Sequence, residues 1–198
     1  MGLLHWKGLY GISYHQILLI SVVYGKLEHH LHREAGKSLL TFEEMTTLLT
    51  QIEACLNSRP LTVLSDDSND PSFLSPGHFF IGSPLVPFPE PDLSDMPMKQ
   101  LSTWQQVHRA TQYIWNRWSK DYLKSLQQRS KLTSYMMNIK PVVVVLIKKD
   151  NLHPLAWRLA VITEIFPGKD GSVRVANVKT SDGILKRSIH ILVIISIE

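Results

Sequence analysis

The chain has 198 residues, 44% hydrophobic and 19% charged, with a formal net charge of +4 at pH 7. Those values fit one ordinary domain or two small ones and exclude collagen-like and disordered classes. The single cysteine, Cys55, excludes an intrachain disulfide and fits a reducing, intracellular compartment; the mild positive charge permits a polyanionic partner without requiring one.

Residues 8–24, GLYGISYHQILLISVVY, form the first apolar run. Gly, Ser, His and Gln interrupt it, and a spanning helix needs about 20 mostly apolar residues, so a packed strand or helix is expected and no membrane partner. Residues 27–36, LEHHLHREAG, then gather three histidines and two glutamates. As a helix this segment pairs Glu28 with His32 and His30 with Glu34 on shared faces. It lacks a signature such as H-E-x-x-H, and His29 and His30 point about 100° apart. The expectation is the solvated polar face of an amphipathic helix, with no metal and no cofactor.

Thr41 and Glu44 make an S/T-x-x-E capping box. Met45, Leu48, Leu49, Ile52, Cys55 and Leu56 follow at helical spacing, and NSRP (57–60) stops the helix. Cys55 falls on the apolar stripe, where it serves as a small buried hydrophobe. Residues 61–100 are rich in proline, from Pro71 to Pro97. They predict an extended connector without regular hydrogen bonding.

Residues 101–132 contain no Pro or Gly and predict one long helix. At the 100° step Trp104, Val107, Ile114, Trp115, Trp118, Tyr122 and Leu126 share one side. Arg109, Arg117, Lys120, Lys124 and Lys131 share the other, with Asp121 the one acidic residue of the segment. Residues 141–198 change to strand pattern in PVVVVLIKK, AWRLAVITEIF, SVRVANVK and ILKRSIHILVII, with PGKDG and SDG as turns. Four or five short strands in that space predict a small barrel. It adds Lys148, Lys149, Arg174, Lys179, Lys186 and Arg187 as candidate phosphate contacts. The apolar runs VVVVLI and IHILVIISI have few interrupting charges and predict self-association.

A magnesium-dependent nuclease draws carboxylates from several elements. Here no aspartate precedes Asp66 and no acidic residue precedes Glu28. No catalytic residue is assigned.

At LTFEEMTTLLTQIEACLNSRPLT the sequence resembles the integrase region of Pao/BEL-type LTR retrotransposon polyproteins. LSPGHFFIGSPL, WNRWSKDYLKSLQQRSK, NIK and LIKKDNLHPLAWRLAVITEIFPGKDGSVRVANVKTSDGILKR continue the resemblance in order, from about Gly25 to the C-terminus. It implies the end of an RNase H-like integrase core, a linker and a C-terminal domain of unknown function; similar integrases carry an SH3-like barrel there. The family acts on DNA through two aspartates and a glutamate that hold divalent metal. Both aspartates would lie upstream of this sequence, and the glutamate position falls on Ser21. The family's Gly-Asp turn after NIK is replaced by PVVVV, a Gly near Ala160 is absent, and so is a Pro near Ser188.

The resulting expectation is an α+β chain in four parts. Residues 1–60 are the truncated end of an integrase core, 61–100 a proline-rich connector, 101–138 a long basic amphipathic helix and 139–198 an SH3-like β-barrel. The expected function is non-catalytic, sequence-independent binding of nucleic acid, DNA in the first place; a nuclear location is left open. The alternatives are metal-dependent integrase or nuclease chemistry only within a larger polyprotein or complex, and a retroelement remnant without function.

Overall fold

The computed structural model describes residues 30–31, 40–65, 67, 70–87, 90–129, 143–149, 152–168 and 173–195. The chain is a mixture of helix and antiparallel sheet, an α+β protein. It divides into two units. One comprises Met1–Asn57, Val86–Ser119 and His153–Leu155; the other comprises Ser58–Leu85, Lys120–Leu152 and Ala156–Glu198.

In the first unit, helix α1 (Phe42–Asn57) begins at the predicted capping box. The Glu44 carboxylate accepts from the Thr41 amide at 2.8 Å, and the Thr41 hydroxyl accepts from the Glu44 amide at 3.3 Å. Its buried residues are the six of the predicted stripe. Cys55 is among them, and burial pushes its thiol up to about 12, which keeps it in the unreactive protonated form. His30 and Leu31 are helical and both are buried. This corrects the expected solvated face at His30; Glu28, His29, His32 and Glu34 lie outside the described residues, as does the apolar run 8–24.

The long helix α3 spans Thr103–Arg129. Residues through Ser119 belong to the first unit and the rest to the second. Val107, Ile114, Trp115 and Trp118 are buried as the periodicity requires. Trp104 is not: it is 60% exposed in the first turn, its ring edge-on to His108 at 4.1 Å. The same half of the helix buries His108, Thr111 and Gln112. Gln112 reaches the connector, accepting from the Leu93 amide and donating to the Pro91 carbonyl, both at 2.9 Å. His108 meets the Glu90 carboxylate at 2.6 Å, and the Thr111 hydroxyl donates to Gln51 of α1. An irregular proline-rich segment is thus tied down by side chains of a neighbouring helix.

The remainder of the connector departs from expectation. Strands β1 (Thr62–Ser65) and β2 (Ser72–Leu74) pair antiparallel with Val63 opposite Phe73. Helix α2 (Pro76–Ile81) follows and ends at Gly82, whose φ of +72° is the left-handed cap. Short strands of four and three residues leave too few alternations for a period to show, and the prolines mask them. A single 3₁₀ turn, Met98–Gln100, precedes α3.

The second unit holds a five-stranded sheet of β3 (Val144–Ile147), β4 (Leu159–Pro167), β5 (Val173–Thr180), β6 (Gly183–Ser188) and β7 (Leu192–Ile194). Its order is β6-β5-β4-β3-β7, all antiparallel. Four strands form a meander, a 3₁₀ turn at Ile189–Ile191 carries the chain on from β6, and β7 pairs antiparallel with the open side of β3. Thr180 and Gly183 close the β5–β6 hairpin around Ser181 and Asp182, with Gly183 at φ +125°, a backbone that strains any L side chain.

The two faces of the sheet lie over different cores. Val145, Ile147, Ala160, Ile162, Ala176, Val178, Ile189 and Leu192 form one. Leu146, Val193 and Ile195 join Leu123 of α3 in the other, with Val63, Phe73, Leu126, Trp157 and Leu159 against them. The hairpin is tied in by Trp157, whose indole donates to Ser58 at 3.1 Å, and by Tyr122, whose hydroxyl donates to the Pro60 carbonyl. All four residues of β3 are buried, which explains its unbroken apolar sequence: it lies between β4 and β7 and is covered on both faces.

Candidate functional site

The predicted basic residues separate into groups. Arg109, half-buried, and Arg117, exposed, belong to the first unit. The Arg117 guanidinium lies 4.7 Å above the ring of Tyr113, one turn earlier. At the helical step both cations fall within about 80° of Lys120 and Lys124. Lys131 lies outside the described residues.

In the second unit Lys120 and Lys124 are exposed, and Lys124 stands 4.0 Å from Asp121. Lys148 follows the last residue of β3. Its ammonium donates to the Gln127 side-chain carbonyl at 2.9 Å. The Gln127 amide nitrogen donates in turn to the backbone carbonyls of His190 and Leu192, at 3.3 and 3.4 Å. Helix, strand end and returning turn are thereby joined through one glutamine, and the Lys148 ammonium is held rather than free to rotate. Burial pushes its pKa below the usual lysine value, and the charge of Lys124 adds to the shift. Exposed Lys149 extends the same strand end. Gln127 carries no charge and no motif, so nothing in the sequence marked it.

A second group lies on the sheet. Val175, Asn177 and Lys179 alternate with buried Ala176, Val178 and Thr180 along β5. Cross-strand partners share a face, so Phe166, opposite Val175, and Lys186, opposite Asn177, project from this outer side as well. The Lys186 ammonium sits 4.4 Å from the centroid of the Phe166 ring. Exposed Arg174 lies at the register shift between Pro167 and Phe166. Arg187 pairs with Ala176 on the other face and donates to the Lys186 carbonyl at 3.0 Å. The basic residues of the sheet thus do not form one surface. Phe166 was missed because its strand reads as an ordinary apolar one.

Among the described residues no group of three or more His, Cys, Asp or Glu is placed to hold a metal ion, and no helix is long and apolar enough to cross a membrane. The arrangement offers cations and hydrogen-bond donors rather than an acid–base pair on a reacting centre. The chain is similar over residues 102–195 to a family of unknown function, DUF5641. That span runs from the residue before α3 to the residue after β7, and the β1–β2 hairpin that completes the second core lies outside it. No curated protein and no solved structure matches the chain.

Proposed function

We infer that the chain is a non-catalytic piece of a Pao/BEL-type retrotransposon integrase that grips nucleic acid, DNA in the first place, by its phosphate backbone. The observation that carries the reading is the Lys148 ammonium, held by Gln127 at 2.9 Å, on the unit whose α3 segment exposes Lys120 and Lys124. Such a cluster offers charge and no pattern of donors and acceptors matched to base edges, so it contributes affinity without reading sequence. The order of the strands supports an SH3-like barrel as the frame: a four-strand meander, a 3₁₀ turn and a last strand added beside the first. Register shifts in β4, between Ile162 and Glu164 and between Phe166 and Pro167, supply the bends that such a frame needs. Ser21 at the position expected for the family's glutamate supports loss of strand transfer.

The test is a salt titration of duplex DNA binding by the full chain. Wild type should bind weakly, without sequence preference and with steep salt dependence. Lys120→Glu/Lys124→Glu and Lys148→Gln should weaken it, each lost phosphate contact lowering the log–log slope by about 0.9. Unchanged affinity and slope in both variants would refute the assignment.

A further inference from the structure

The outer face of β4, β5 and β6 combines an aromatic ring, cations and apolar side chains in a way that a backbone-gripping cluster does not need. The ring of Phe166 is half-buried, so its position is set by packing, and it carries the Lys186 ammonium over its face. Arg174 adjoins it at the register shift. One residue pair along the hairpin, beyond Leu185 and Val178, Lys179 lies opposite Ile184, which is 65% exposed. On this face the Glu164 carboxylate accepts from the Asn177 side-chain amide at 2.8 Å.

From this juxtaposition we propose that the Phe166 face binds single-stranded nucleic acid, one unpaired base stacking on the ring while Lys186, Lys179 and Arg174 take the adjoining phosphates. The inference rests on the nucleic-acid reading given above and names its substrate class. Three physical points carry it. A base presents the same flat, polarisable surface to Phe166 whatever its identity, so stacking is tolerant of sequence. A base inside a duplex is already stacked on both sides and cannot reach the ring, which makes the face selective for unpaired strands. Finally, the lysine over the ring is an exchangeable occupant. Its ammonium exchanges the ring quadrupole for a phosphate oxygen, a stronger charge-assisted contact, and its flexible stem permits the move without any change in the strand. An extended, acidic polypeptide would satisfy the cations equally but would leave the ring without a partner.

The experiment measures fluorescence anisotropy of the full chain with three labelled probes: oligothymidylate, an abasic oligomer with the same number of phosphates, and a duplex. Phe166→Ala should weaken oligothymidylate binding about ten-fold, the scale of one base–aromatic stack. It should leave the abasic and duplex affinities unchanged. Phe166→Tyr should behave as wild type. Phe166→Leu keeps apolar bulk without an aromatic face and should behave as the alanine variant, so the Tyr and Leu pair decides the matter if alanine lowers the melting temperature. Equal losses on oligothymidylate and the abasic oligomer, or no loss on either, would overturn the platform. So would competition by polyglutamate that matches oligothymidylate and weakens alike on Phe166→Ala, which would assign the face to acidic chains. If Lys120→Glu/Lys124→Glu loses duplex affinity while Phe166→Ala equals wild type, the phosphate cluster stands and the platform falls. A chain that binds none of the probes removes both.

Discussion

The two halves of α3 use one helical period for opposite purposes. Through Ser119 the helix turns inward: Val107, Ile114, Trp115 and Trp118 are buried, and the polar side chains beside them, His108, Thr111 and Gln112, are buried too. From Lys120 onward it keeps an apolar seam, Leu123 and Leu126, against the sheet and presents lysines to solvent beside Gln127 and Lys148. Helical spacing states which residues share a side; it does not state whether a polar residue on the margin meets water, a proline-rich strand or another charge. That depends on what the rest of the chain brings to the helix.

The largest effect is expected at Trp115. Its ring is buried and lies 5.7 Å from that of Trp118. Trp115→Ala should cost about 3–5 kcal/mol, a large part of the stability of a small domain, through lost burial and the cavity left behind. Chemical denaturation followed by far-UV circular dichroism measures it. A cost below about 1 kcal/mol would show that the first half is not organised around the tryptophans.

A smaller effect is expected at Gln112. Gln112→Leu keeps the volume and removes both partners of the connector, the Leu93 amide and the Pro91 carbonyl. The buried group left without a partner costs about 1–3 kcal/mol. Limited proteolysis should then open the chain near residues 90–95 sooner than in wild type. An unchanged cleavage rate would mean that these bonds do not hold the connector.

What the sequence disclosed follows the same division. Repeating patterns were legible: the capping box and stripe of α1, the buried stripe of α3 from Val107 onward, and the strands of the sheet. Contacts that depend on a partner far along the chain were not. Trp104 matches the apolar side but sits in the first turn, where nothing covers it. The β1–β2 hairpin is too short for its alternation to stand out from the prolines. Gln127 and Phe166 acquire their roles only from Lys148 and Lys186, 21 and 20 residues away.

The smallest expected effect sharpens the second half. Burial and Lys124 lower the Lys148 pKa, so the folded chain sheds that proton before the unfolded chain does. Between the two values the unfolded state holds more protons, and stability rises with pH there. Anion binding favours the protonated ammonium, so wild-type affinity for DNA should decline as pH rises through the lowered value, ahead of the ordinary 10.5. Lys148→Arg remains charged throughout and should hold its affinity to higher pH. Coincident pH profiles would show that Lys148 takes no part in binding.

The pairing of β3 with β7 bears on how the chain is made. Val145 pairs with Ile194 and Ile147 with Leu192, so the first strand of the sheet waits for its last. During synthesis the run VVVVLI leaves the ribosome well before the strand that covers its open side, and contacts of such long sequence separation form slowly. In the folded chain Val144–Ile147 is sealed between β4 and β7; in the nascent chain it is an adhesive edge. Yield from expression should therefore respond to chaperone supply and growth temperature more than to changes on the finished surface, and substitutions that speed closure by β7 should raise it even when they leave equilibrium stability unaltered.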